Sequence, residues 1–480
     1  MKTTTLTKLL FVSVLGWSSS SFAVNFTQEN VQKSQDIINQ TLQAYGGADK
    51  IQGLNQLIVD YDVTNVSGGQ SRKPEPPWDV SKGDRVTAID FANQITVTKF
   101  SGDGAGGRFG GTNIINGEQS SNLDHIHKTR SKVTAPDFDA AAGPSLRSNG
   151  TLLLKRLQQY SGSARYLGET LLNDRNHDLL SFTMPGGPAI TLYIDQKTHL
   201  ISKSERVLGV VLVEYFFSDY KEVNGLLLPF ENSYTVNGAP SQTFTAESYK
   251  INLPLEKLLS IPKNYKEIAS PSPQEMKTHV MADGVYWVTE NSQNSLFVEF
   301  DDHLMMIGGL PGVTQRIAEI KKTVADKPVK YTVMTHHHSD HIGGSQEVSD
   351  AGITFITVKE HQKVIREAIA EEGRAKAKFE LIADKKVYAD KNQRLEIYDI
   401  GPTPHTEHFL LAYLPKHNII FEADHFGVSA TGPLPYRNLN IESLVESIKA
   451  RNLNVKHITS AHGNKPTTFD QLMESYNKIL

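Results

Sequence analysis

The densest chemistry in the chain is the stretch Thr335-His336-His337-His338-Ser339-Asp340-His341, which puts four imidazoles and one carboxylate within six positions. It follows a run rich in β-branched and aromatic residues, Val329 to Val333, and precedes Ile342-Gly343-Gly344, so it reads as the loop leaving a strand. In extended chain alternate side chains share a face, so His336 and His338 can address one ion while Asp340 and His341 turn toward a second. Neutral imidazole and carboxylate oxygen suit zinc, and a catalytic zinc keeps one position open to water. A solvated His-rich tract or a purification tag would not lie between a strand and a Gly-Gly turn, nor enclose a Ser-Asp pair.

The H-x-H-x-D-H pattern of His336, His338, Asp340 and His341 resembles the metallo-β-lactamase superfamily. The resemblance implies a third histidine in an H-T loop after a strand, and Gly401-Pro402-Thr403-Pro404-His405-Thr406 offers His405 after Leu395-Glu396-Ile397-Tyr398. It implies a bridging carboxylate after the next hairpin, where Asn418-Ile419-Ile420-Phe421-Glu422-Ala423-Asp424 offers Asp424. A last histidine is implied at the end of a late strand, where Lys456-His457-Ile458-Thr459-Ser460-Ala461-His462-Gly463 offers His462. His336, His338 and His405 would then hold one metal, Asp340, His341 and His462 the other, and Asp424 both. The implied cofactors are two zinc ions, with iron or manganese as alternatives. The implied chemistry is attack by a metal-bridging hydroxide on an ester, lactone, thioester or amide carbonyl of a small molecule, with Asp340 as the catalytic residue that orients the hydroxide and receives its proton.

Within the superfamily, β-lactamases with a cysteine in the second site are excluded because the chain has no cysteine. Asp424 resembles the bridging aspartate of glyoxalase II, lactonases and phosphodiesterases. Oxygen-reducing di-iron members carry a glutamate where this chain has His338, which favours hydrolysis over redox chemistry. A true β-lactamase is an alternative reading. The chain departs from the family at Met305-Met306-Ile307-Gly308-Gly309, where an aspartate after the second strand often supports the site from behind.

Other polar residues nearby have plainer readings. His337, between two ligands, should face the opposite way. His408 and His425 could hydrogen-bond a ligand, and Glu407 and Glu422 read as solvated or outer carboxylates.

Lys2 and Lys8, the apolar run from Leu9 to Trp17 and the small-x-small sequence Ser21-Phe22-Ala23 read as a secretory signal peptide over 1–23, since the apolar run is too short to span a bilayer. The expected location is the periplasm, or the medium. No other window approaches the ~20 apolar residues of a membrane span. The balance of 49 Lys and Arg against 53 Asp and Glu, a net charge of −4, disfavours nucleic acid, which would want a basic field.

From 279 to 480 strands give way to alternating helix and strand: strands at 284–288, 295–300 and 329–333, a helix over 313–326, another over 441–452, a strand at 455–459 and a final helix from Thr468. This order suits an α/β layered sandwich with ligands on loops at one edge, in agreement with the superfamily's αββα fold. Residues 24–265 hold instead many period-2 runs, such as 56–63, 190–195 and 210–216, parted by Gly, Asn and Pro turns. They predict a separate, mainly antiparallel β domain that opens with a helix from Gln32 to Tyr45. Turns such as Asn224-Gly225 and the spacing of Asp195-x-x-Thr198 are similar to periplasmic lipoprotein-carrier domains with a half-barrel sheet. That similarity implies a possible lipid or other apolar ligand, and a carrier with a structural metal as a second function. Residues 266–278, with Pro271 and Pro273, read as the linker. Gly102-Asp103-Gly104-Ala105-Gly106-Gly107 satisfies G-x-G-x-x-G, yet no βαβ unit surrounds it, so it reads as a flexible loop.

Overall fold

The computed structural model describes residues 25–480, except 105, 271, 272 and 325. The expected signal peptide lies outside the described residues.

The first domain is built on one 14-stranded sheet. Its order places the first long strand, Gln56–Val66, in antiparallel register with the last, Ala239–Ile251. The other strands run outward as hairpin neighbours on either side. Asn224-Gly225 and Asn237-Gly238 set these hairpins: both residues of each pair have positive φ, +53° and +75°, then +49° and +77°. That is the two-residue turn whose twist matches the strands, and it selects Asn-Gly. A helix, Phe26–Ala44, opens the domain, longer at its start than the expected Gln32 to Tyr45, because the Asn25 side chain accepts from Thr27 N at 3.0 Å and caps it there. It joins the helix Gly150–Gln159 in a core that includes Ile38, Leu42, Leu153, Leu157, Leu192 and Leu228.

Gly102, Asp103, Gly104 and Gly107 of the G-x-G-x-x-G segment lie in strands rather than in a loop. Ile95–Gly104 and Gly107–Ile115 pair throughout as a hairpin, Gly104 opposite Gly107, because the alternation of apolar residues on both sides continues the sheet.

The expected linker is structured at both ends. Lys266–Glu267 adds a short parallel strand beside Thr129–Arg130 of the first sheet, and Lys277–Ala282 already pairs with Val285–Glu290 of the second domain.

The second domain has two sheets. The seven-stranded one runs in order Lys277–Ala282, Val285–Glu290, Gln293–Glu299, Leu304–Ile307, Val329–Val333, Thr354–Val358 and Phe379–Ile382, parallel from Leu304–Ile307 onward. The six-stranded one runs from Lys385–Ala389 to Thr467–Thr468. A core that includes Trp287, Leu296, Leu395, Leu411 and Phe421 lies between them and reaches the helices Leu439–Ala450 and Phe469–Asn477. Beneath Val313–Ile320 and Ser345–Asp350 a second core of Phe297, Met306, Val348 and Phe355 covers the other face. The layers are thus αββα, preceded by a separate β-rich region. Among the described residues no helix is long and apolar enough to cross a membrane.

Candidate metal centre

The three loops that carry the downstream candidates all leave the ends of strands in the six-stranded sheet, and the His loop leaves Val329–Val333 of its neighbour. Leu410 N donates to Thr335 O at 2.7 Å and ties the two sheets together at this edge. His405 stands on a turn in which its own N–H and that of Thr406 donate to Thr403 Oγ1 at 3.2 and 3.0 Å. Asp424 follows Ile419–Glu422, where the buried Glu422 carboxylate accepts from His425 N at 2.7 Å and Phe426 N at 3.2 Å. His462 is held by buried Asn294, whose amide donates to Ser460 O at 3.0 Å and Gly463 O at 2.9 Å.

These loops bring all seven expected residues together in two groups, His336, His338, His405 and Asp424 in one and Asp340, His341 and His462 in the other. Asp424 joins them. Its Oδ2 is 2.9 Å from His341 Nε2, 3.1 Å from His336 Nε2 and 3.2 Å from His405 Nε2, while Oδ1 is 3.3 Å from His462 Nε2. Asp340 Oδ2 lies 3.0 Å from His462 Nε2 and 3.3 Å from His341 Nε2.

The donor set fits metal ions. Nε2 of His405 faces Nε2 of His336 at 3.3 Å, and Nε2 of His462 faces that of His341 at 3.1 Å. Imidazole nitrogens that close are near the edge of a tetrahedron with bonds of about 2.0–2.1 Å. Burial pushes His336 well below its ordinary value and His338 down to about 3, so both imidazoles are neutral at pH 7 with a lone pair to give. Asp424 stays ionised: burial favours its neutral form, but His341, His336 and His405 hold it well below the carboxylate range.

The first domain reaches into this centre. Between Gln56–Val66 and Val80–Asp90 the chain makes a loop, 67–79, that lies on the His segment. Gln70 Nε2 donates to Asp340 Oδ1 at 2.7 Å, leaving Oδ2 toward His341 and His462. His338 Nε2 donates to Ser71 O at 3.1 Å; a carbonyl can only accept, so in the neutral ring Nδ1 is the nitrogen with the lone pair. Ser339 N donates to Gly69 O at 2.9 Å and Glu407 N to Arg72 O at 3.0 Å. Gln70 and Ser71 were invisible in the sequence, since nothing in Gly68-Gly69-Gln70-Ser71 marks it as the partner of a segment 270 residues away.

The neighbouring residues separate. His337 turns away and meets buried His361 at 3.3 Å. His408 points to Asp399 at 2.6 Å, and Glu407 pairs with Lys73 at 3.1 Å. His425 is buried, its ring centroid 5.9 Å from that of His405, with neither nitrogen hydrogen-bonded. Burial lifts Glu422 to about 7. At Gly309 a Cβ would lie 2.4 Å from Met334 Sδ and 3.1 Å from His341 O, so a side chain there would have to displace the end of Met334. The position that the family often gives to aspartate is glycine here, and His341 Nδ1 has no hydrogen-bond partner among the described residues.

A cleft of about 570 Å³ opens between the domains, walled by Phe100, Phe109 and Ile126 on one side and by Gly427, Ser429 and Pro433 on the other. Gly427 packs directly against the backbone of His462.

Residues 288–462 match the family model described as the metallo-beta-lactamase superfamily. Solved structures similar to the chain include a metallo-beta-lactamase from Pontibacter korlensis, 20% identical, covering 42% of this chain and 97% of that one at a TM-score of 0.34. Others are the FIM-1 metallo-beta-lactamase of Pseudomonas aeruginosa in its mono-zinc form (19%, 43% and 95%, TM-score 0.34) and a metallo beta lactamase from Hirschia baltica (19%, 42% and 97%, TM-score 0.34). Overlaps this partial add no argument of their own. No curated protein matches the chain. The family match and the αββα layers coincide on the same stretch, and the C-terminal domain of this chain has the metallo-β-lactamase fold.

Proposed function

We propose that this protein is an exported, binuclear zinc-dependent hydrolase that cleaves an ester, lactone, thioester or amide bond of a small molecule. The observation that carries the reading is Asp424, whose two oxygens lie within 3.3 Å of imidazole nitrogens from both groups, the placement a shared ligand needs. Bound zinc ions would supply Lewis acidity and bring the pKa of water down to about 7. The chain's own residues do the rest. His336, His338 and His405 form one face of imidazole donors; Asp340, His341 and His462 form the other. Asp340 is held well below the carboxylate range, mainly by His462, His341 and Gln70 acting against its burial. So ionised, Asp340 can orient an attacking water as a hydrogen-bond acceptor. Phe100, Phe109 and Ile126 of the first domain and Pro433 of the second give the substrate an apolar bed beside His462. The Lys2-to-Ala23 pattern supports export.

Asp340→Asn and His338→Ala proteins test this. Both should keep their circular dichroism, lose bound metal by elemental analysis, and lose at least about a thousandfold in turnover, a few kcal/mol of transition-state stabilisation. The substrate panel is an ester, a lactone, a thioester, an amide and nitrocefin. Undiminished turnover in both variants would refute the assignment.

A further inference from the structure

A second cavity, of about 320 Å³, lies wholly within the first domain, and its lining runs only from Tyr61 to Phe244. Seven adjacent strands of the sheet contribute to it, from Ile95–Gly104 on one side to Ile201–Leu208 on the other. Pro144, Ser145 and Ser148, at the end of the helix Phe138–Arg147, cover it.

Two arginines line this cavity, Arg85 and Arg206. Among the described residues neither makes an ion pair or a hydrogen bond, and the Nε of each is buried without a partner. Arg85 rests only on the face of Phe244, its guanidinium carbon 5.1 Å from the ring centroid. Burial lowers both from the ordinary arginine value, and the nearness of Arg147 lowers Arg206 further. Arg147 itself has a buried, unpartnered Nε, though its place in the last helical turn is favourable for a cation.

The alternation of the strands explains why no acid answers them. Successive side chains point to opposite faces, so Arg206 shares its face with Ser204 while Glu205 lies on the other. There Glu205 and Glu214 both pair with Lys203, at 2.8 and 2.6 Å. Asp84, beside Arg85, faces away and accepts from Ser101 at 3.2 Å. Charges are rarely held in a half-enclosed cavity without a counter-charge, because desolvation is costly unless paired. The remaining lining is amphipathic, with Tyr61, Tyr215, Phe244, Val213 and Val236 beside the arginines.

We propose that this cavity binds a small amphiphilic oxyanion, its carboxylate or phosphate group drawn to the unpaired guanidiniums of the lining, Arg85 and Arg206, and its apolar body against Tyr61, Tyr215 and Phe244. The planar guanidinium fork matches either head group, and the volume holds one short acyl chain or aromatic ring rather than a two-chain lipid. The site is separate from the metal centre and does not depend on the hydrolase reading.

Calorimetric titration of the full-length mature protein with octanoate, octyl phosphate, inorganic phosphate and octanol tests it. Octanoate or octyl phosphate should bind with a Kd below about 1 mM, and the tighter of the two identifies the head group. Arg85→Gln and Arg206→Gln should each weaken that binding about tenfold or more, the loss of a charged hydrogen bond. The melting temperature of the ligand-free variants should stay level or rise, since each relieves an unpaired buried charge. Failure of both anions to bind, equal binding by octanol, or undiminished binding by both variants would overturn the site. Inorganic phosphate binding as tightly as octyl phosphate would overturn the amphiphile. Variants that melt lower and bind unchanged would make the arginines structural, which also overturns it.

Discussion

Asp340 shows how much of this centre depends on a residue the chemistry never touches. One carboxylate oxygen is aimed at the histidine nitrogens and the other is occupied by the Gln70 amide at 2.7 Å. An outer hydrogen bond of this kind fixes the orientation of a ligand and typically contributes 10- to 100-fold in metal affinity. Gln70→Ala should therefore weaken metal retention by about that factor, selectively at the group of Asp340, His341 and His462. Competition with a chromophoric chelator measures it. Gln70→Glu should weaken it at least as much, because a second carboxylate beside Asp340 repels rather than donates. Equal affinity in all three proteins would show that the contact does no positioning.

The loop of residues 67–79 is the element that delivers this contact, and its own anchor is ionic. Arg72 reaches Asp79 at 2.9 Å, and Asp79 also accepts from Arg72 N at 2.7 Å and Ser71 Oγ at 3.1 Å. Arg72 first, then these hydrogen bonds against a smaller burial penalty, hold the Asp79 carboxyl down at about 2. A depressed folded value means that the anchor is fully present above the ordinary carboxylate pKa near 4 and is lost only as pH falls toward 2. The pair is substantially exposed, so the effect is local and modest. Amide exchange of residues 67–79 should be unaltered by ionisation between pH 7 and 5, after correction for intrinsic rates. In Asp79→Asn it should be faster at every pH in that range. Acceleration of the wild-type loop through pH 6 would point to a different anchor.

At the scale of the molecule each domain has its own cores, and the contacts between the domains include the 67–79 loop, the stacking of His127 on Tyr436 at 5.2 Å, and Thr431 to Ala269 O at 3.2 Å. Separate cores predict separable unfolding. Leu157, fully buried in the first core, should cost about 2–5 kcal/mol when changed to Ala. In calorimetry that change should lower one transition and leave the other in place. Chelation should do the reverse, lowering the transition that Leu157→Ala spares, because ligands that bind only the folded form stabilise the domain that holds them. A single transition moved by both treatments would show one cooperative unit.

Much of the second domain was written locally. The strand Val329–Val333 and the loop after it are contiguous, and a side chain's face in extended chain follows from its parity, so His336 and His338 point one way and His337 the other. Asn-Gly pairs fixed hairpins for the same reason, their backbone demands being satisfied within two residues. His405, Asp424 and His462 came into view only through the family pattern, since their meeting depends on where strands end in another sheet. Three features had no sequence signature and were decided by tertiary structure: Gln70 and Ser71 on the metal centre, the strand Lys266–Glu267 in the expected linker, and Arg85 and Arg206 in the lining of one cavity. Each joins segments far apart in the chain. Such contacts are set by how sheets stack and which loops overhang them, so they arise from packing the whole chain and leave no periodicity or spacing for a sequence to display.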